Sequence, residues 1–145
     1  MFTFFLFISL ATSAAAAPNI VVILTDDQED TGSIAYMQRV QALAKQGVTF
    51  KNSFVNFSLC APSRSSFFTG QAAHNDGIES NNSSKGGGWD TFKQEEANDL
   101  PVWLKSARYT TALIGKYENG YGAGKPPRSN ALNGWLGIGT PDKQH

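Results

Sequence analysis

Residues 19–24 read Asn-Ile-Val-Val-Ile-Leu, an unbroken apolar run that is mostly β-branched. A run with no polar face predicts a strand buried on both sides, the kind found in parallel sheets. The chain that follows agrees with such a sheet. Tyr36, Met37, Val40, Leu43 and Ala44 recur at three- and four-residue spacing, the stripe of an amphipathic helix stopped by Gly47. Val48-Thr49-Phe50 and Phe54-Val55 read as extended segments. Residues 62–69 predict a short helix, with proline tolerated in its first turn and Gly70 ending it. Asp99 is a predicted N-cap with Pro101 just inside, and Leu100, Trp103, Leu104 and Ala107 form the apolar face behind it. Residues 109–114 predict the next strand, with Gly115-Lys116 at its carboxyl end. Strands alternating with helices give an α/β fold with a parallel sheet. Residues 80–90 are rich in Asn, Ser and Gly and read as a surface loop. After Gly120 the sequence predicts no element, and no internal repeat is visible.

Residues 1–17 read as a secretory signal. Phe2 to Leu10 supply an apolar core, and Ala14 to Ala17 supply small residues for cleavage near Ala15 to Ala17. No Lys or Arg precedes that core, which departs from the usual pattern. The stretch is interrupted by Ser9, Thr12 and Ser13 and falls short of the ~20 residues a spanning helix needs, so no stable membrane anchor is expected. The remaining 18–145 are long enough for one modest core. The chain carries 12 basic and 12 acidic residues, and neither a nucleic-acid-binding patch nor an acidic tail stands out. In a secretory pathway, three sequons make Asn56, Asn81 and Asn82 candidate glycosylation sites.

Cys60 is the one cysteine in the sequence, so it cannot close an intramolecular disulfide. It sits in Cys60-Ala61-Pro62-Ser63-Arg64. If a helix starts there, its outward N–H groups and dipole favour an anion, and Arg64, one turn on, can fork onto two anion oxygens. By themselves, a lone cysteine also fits a buried small hydrophobe, and an arginine a solvated charge. Asp26 and Asp27 follow the first predicted strand at its carboxyl end, where ligands collect in open α/β sheets. Adjacent carboxylates suit a hard divalent cation, although a solvated turn or a helix cap would look the same. Lys116 leaves the other predicted strand at the same edge, as a point charge for an anion or as an exposed loop residue.

Taken in order, Leu24-Thr25-Asp26-Asp27-Gln28, Cys60-Ala61-Pro62-Ser63-Arg64-Ser65-Ser66, Thr69-Gly70 and Gly115-Lys116-Tyr117 resemble the N-terminal region of type I sulfatases. The spacing Cys-x-Pro-x-Arg is that family's motif, and the resemblance spans nearly all of 18–121. Asn119-Gly120-Tyr121-Gly122, the Asn-rich stretch after His74-Asn75, and Gly134-Trp135 resemble the branch of N-acetylglucosamine-6-sulfatases and related arylsulfatases.

The resemblance implies a parallel-sheet sandwich of the alkaline-phosphatase and sulfatase type, of which 18–145 are the N-terminal part. It implies that Cys60 is converted by the formylglycine-generating enzyme to formylglycine. Its hydrate attacks sulfur, displaces the alcohol, and then expels sulfate to regenerate the aldehyde. Asp26, Asp27 and the converted Cys60 are implied metal ligands, for Ca²⁺ ahead of Mg²⁺. Arg64 is implied to support the formylglycine, and Lys116 to touch it and the sulfate. The implied substrate is a sulfated sugar or an aryl sulfate, and the implied location is extracellular, or elsewhere in the secretory and lysosomal pathway. Many sulfatases have His where this chain has Glu118, while the resembled branch often has Leu; an acidic Glu118 is expected to point away from a sulfate or to bind another part of the substrate. His74 also occupies a common histidine position and is expected to pack or hydrogen-bond. The family's remaining ligands come from later sequence, so the isolated chain is expected to be inactive. The alternatives are a phosphate or phosphonate monoester hydrolase of the same superfamily, or an inactive secreted binding protein.

Overall fold

The computed structural model describes residues 17–29, 32–122 and 134–136. The predicted signal segment lies outside them, apart from Ala17. A 3₁₀ turn, Ser33–Tyr36, leads into α1, Gln38–Ala44. Helix α2 runs Cys60–Thr69, followed by α3, Ala73–Asp76, and by α4, Gly88–Phe92, after a 3₁₀ turn at Ser83–Lys85. A further 3₁₀ turn, Glu96–Asn98, precedes α5, Leu100–Ser106, and β1, Ala112–Ile114. The strand β2, Gly134–Leu136, pairs with β1 in parallel, with Leu113 opposite Trp135. No helix among the described residues is long and apolar enough to cross a membrane.

The local signals worked where they were local. Gly70 ends α2 in the left-handed conformation at φ 69°, which glycine adopts without a Cβ penalty. Asp99 caps α5 by accepting from the Val102 amide at 3.0 Å, and Pro101 sits in the first turn, where its missing N–H costs nothing.

The core lies between α2, α4 and the turn after β1. Ala61, Phe68, Ile78, Phe92, Tyr117 and Tyr121 are buried together, with Trp89, Leu100 and Leu113 packed against them. The rings meet edge to face: Phe68 and Tyr117 at 4.9 Å, Tyr117 and Tyr121 at 4.9 Å, Trp89 and Tyr121 at 4.6 Å. Such pairs contribute about 0.5–1.5 kcal/mol each beyond the area they bury. The Tyr117 hydroxyl is satisfied inside this core by donating to Asp99 Oδ2 at 2.6 Å.

Several expectations are corrected. Residues 19–24 do not form a hydrogen-bonded strand, and they are not buried: Val21 is 83% and Ile23 78% exposed. The segment keeps the alternation of a strand, since Ile20, Val22 and Leu24 line a groove opposite Phe67, Leu104 and Leu113. No described strand pairs with it, and a strand is made by its partners. The stripe of α1 is likewise helical but uncovered, with Val40 and Leu43 exposed. Residues 80–90 are not simply a surface loop, because Gly87 and Gly88 are buried and α4 starts within them. The strand β2 falls where no element was expected, and residues 48–50 and 54–55 have no strand assignment.

Candidate metal and nucleophile site

The site gathers at the ends of three segments. Asp26 and Asp27 terminate the extended run 19–24. Asp27 takes a left-handed conformation at φ 50°, uncommon for a side chain with a Cβ and tolerated best by Asn and Asp. That turn lets the two adjacent carboxylates face one side. Cys60 is the first residue of α2, half-buried, with Sγ 3.9 Å from Asp27 Oδ1. One donor atom from each of Asp26, Asp27 and Cys60 lies within 4.8 Å of the others, a spacing one cation can span. Gln28 and Ser63 line the same cleft.

Arg64 is buried, which excludes the reading of a solvated charge. It does not reach out past the helix start. One guanidinium nitrogen donates to the Lys116 carbonyl at 2.7 Å, and the other to Asp26 Oδ1 at 3.3 Å. Arg64 thus bolts α2 to the chain leaving β1. Lys116 is half-buried, and its Nζ lies 3.1 Å from Asp26 Oδ2. Gly115, at φ 104°, turns the backbone so that Lys116 points there. Partial burial by itself would raise the Asp26 carboxyl, but Lys116 and Arg64 outweigh it and hold the group below its usual 3.8. So the structure brings Asp26, Asp27, Cys60, Arg64 and Lys116 together, as the sequence order suggested.

The helix start is less open to an anion than the sequence implied. Pro62 has no N–H, the Ser63 amide is bonded to the Leu59 carbonyl, and the Ala61 amide donates to Asn81 Oδ1 at 2.8 Å. Glu118 does not face the cleft either. It is 1% exposed and neither carboxyl oxygen makes a hydrogen bond. Burial pushes its carboxyl well up, while Arg64, the Asn119 amide and Lys116 oppose this and Asp76 adds to it. His74 is exposed on α3 and lies outside the cluster.

Beneath α2, Asp76 accepts from Ser65 Oγ at 2.6 Å and from the Ile78 amide at 2.9 Å. Sequence reading missed both Asp76 and the bond to Asn81, because the Ser65–Asp76 and Ala61–Asn81 bonds join residues 11 and 20 apart in the chain. The sequon asparagines differ. Asn56 is exposed and donates Nδ2 to Ser66 Oγ, whereas Asn81 and Asn82 are half-buried and use Oδ1 as acceptors.

Known proteins match this sequence. The family model described as "Sulfatase" matches residues 18–137. An N-acetylglucosamine-6-sulfatase of Capra hircus is 38% identical over 124 residues, 80% of this chain and 22% of that protein. The human N-acetylglucosamine-6-sulfatase is 40% identical over 114 residues, 73% of this chain and 20% of the relative. An arylsulfatase of Volvox carteri is 33% identical over 137 residues, 88% of this chain and 21% of the relative. The chain therefore spans about a fifth of the length of these relatives. No solved structure matches it. Membership of the matched family carries an α/β fold of the alkaline-phosphatase kind, and with 18–137 covered by its model, the chain belongs to the sulfatase family.

Proposed function

We propose that this chain supplies the nucleophile and first metal ligands of a sulfuric ester hydrolase. The observation that carries the reading is the meeting of Asp26, Asp27 and Cys60 within 4.8 Å, with Arg64 and Lys116 both on Asp26. Two carboxylates against one guanidinium and one ammonium sum to zero charge. A divalent cation added to that set leaves the centre net positive, which suits an anionic sulfate ester.

The donor set fits calcium. Asp26 and Asp27 offer hard oxygens, and an oxygen in place of the Cys60 sulfur would complete an oxygen-only set. Calcium would be held by Asp26, Asp27 and residue 60, and when bound would polarise the sulfate oxygens. Conversion of Cys60 to formylglycine by a generating enzyme would supply an aldehyde whose hydrate carries the attacking hydroxyl. The side chains do the rest. Arg64 fixes residue 60 against the acidic pair by anchoring α2 to the Lys116 carbonyl. Lys116, whose Nζ already lies at the acidic pair, would offer a point charge to a sulfate oxygen. Glu118, buried away from the cleft, presents no carboxylate to the sulfate.

The relatives' names point to a sulfated sugar or an aryl sulfate as substrate. Residues 1–17 act as a secretory signal in this reading, which places the protein outside the cell or in the lysosome. Residues 18–145 form the N-terminal part of the sandwich domain. Asn56, the most exposed sequon asparagine, carries a glycan, ahead of half-buried Asn81 and Asn82.

Calcium titration of the purified chain tests the site. Binding heat is expected, and Asp27→Ala should weaken it at least about tenfold, since one of the few charged ligands is lost. The neighbouring exposed Glu29→Ala should leave it unchanged. Absent binding, or equal effects of the two variants, would reject the acidic pair as a metal centre.

A further inference from the structure

The helix that carries Cys60 lacks a cap of its own. Leu59 is at the N-cap position of α2 and has no side-chain acceptor to offer. Ala61 is fully buried, so water cannot satisfy its amide. That amide is instead taken by Asn81 Oδ1 at 2.8 Å, twenty residues further along the chain.

Asn81 is itself held on both sides. Ser80 pairs with Gly87, and the Gly88 amide donates to the Ser80 carbonyl at 3.1 Å. Gly88 has φ +60°, and a Cβ there would lie 2.9 Å from both the Asn81 and the Asn119 carbonyl oxygens. The next amide, Trp89, donates to the Asn119 carbonyl at 2.7 Å. Three segments meet at a point where only a glycine fits. One is the loop of Asn81, one is the start of α4, and one is the turn three residues after Lys116.

We propose that Asn81 is a positioning residue for the reaction centre. It stands in for the missing cap of α2, and through Gly88 it fixes the start of that helix relative to the turn after Lys116. Cys60 and Lys116 are thereby set in one frame by a residue that belongs to neither motif. The proposal rests on the reading of Cys60 and the acidic pair given above. It also gives the first sequon in the Asn-rich stretch a structural purpose, because Asn81 is needed for its carbonyl oxygen.

The test uses the unglycosylated full chain and two measurements, amide hydrogen exchange at Ala61 and calcium affinity. Asn81→Ala is expected to speed Ala61 exchange about tenfold, the effect of freeing one buried amide, and to weaken calcium about fivefold, the typical effect of losing a cap. Asn81→Asp keeps the acceptor and should restore Ala61 protection. Gly88→Ala should loosen Ala61 without touching the Asn81 side chain. Leu104→Ala, on α5 and outside the cluster that buries Ala61, serves as the control for lost stability and should leave Ala61 exchange and calcium affinity nearer the unaltered values than Asn81→Ala does. Unchanged Ala61 exchange in Asn81→Ala would overturn the proposal, as would equal losses in Leu104→Ala. If the unaltered chain binds no calcium, the metal reading fails; the cap is then decided by Ala61 exchange alone.

Discussion

Residues 61–121 and residues 19–59 are both rich in large apolar side chains, yet they are used in opposite ways. In the first region Phe68, Ile78, Phe92, Tyr117 and Tyr121 close on one another and leave little surface. In the second, Val21, Ile23, Tyr36, Phe50, Phe54 and Val55 stay exposed. Composition does not separate the two. Partners do: in the first region, helices and turns converge on one aromatic cluster, while in the second the described structure offers no strand to pair with and no sheet to cover α1. Hydrophobic side chains stabilise only where other atoms exclude water from them. The site sits on the seam, with Asp26 and Asp27 on the uncovered side and Cys60, Arg64 and Lys116 on the packed side.

Substitutions sharpen this contrast, and the largest effect belongs to the packed region. Phe92→Ala should cost about 3–5 kcal/mol in urea denaturation, whereas Phe54→Ala should stay within about 0.5 kcal/mol. Comparable losses at both positions would break the comparison. Tyr117→Phe should cost about 1–3 kcal/mol, seen as a lower Tm, because it strips the buried Asp99 oxygen of its donor.

Glu118 tests the packed region from the other direction. Its folded-state carboxyl titrates above the ordinary 4.5, so the unfolded chain releases the proton first as pH rises. Stability linked to Glu118 is full below 4.5 and is lost as pH climbs toward the folded value. Glu118→Leu should therefore raise stability near neutrality by about 1 kcal/mol and flatten the fall in Tm between acidic and neutral pH. A Tm profile parallel to that of the unaltered chain would show that Glu118 is solvated after all.

The smallest effect is expected at the seam. Asp26 is nearly half exposed, so its pairs with Lys116 and Arg64 are screened, and Asp26→Asn should cost less than about 1 kcal/mol. The sign is opposite to that of Glu118. Asp26 titrates below 3.8 in the folded chain, so its contribution is present above 3.8 and is lost as pH falls through the lower folded value. Added salt should shrink the difference between Asp26→Asn and the unaltered chain, measured by denaturation at two ionic strengths.

How much of this was legible follows the same division. The helix beginning near Pro62, its stop at Gly70 and the cap at Asp99 were readable because each depends on neighbours in sequence. The grouping of Asp26, Asp27, Cys60, Arg64 and Lys116 was readable from motif order and from the habit of sheets to place ligands at strand ends. Burial of 19–24 was misjudged because an apolar run specifies a need for partners without supplying them. The Ala61–Asn81 and Asp99–Tyr117 bonds span 20 and 18 residues and leave no local mark. The strand β2 is only three residues long and is defined by its pairing with β1.

The central claim is that Cys60 is a nucleophile precursor. The direct measurement is the mass of the tryptic peptide containing Cys60, from protein made in a host with the formylglycine-generating machinery. A mass about 18 Da below the thiol form is expected, the difference between a cysteine and the aldehyde that serves as the nucleophile. An intact thiol, in a host that converts a control sulfatase, would contradict the account and leave Cys60 an ordinary cysteine at the start of a buried helix.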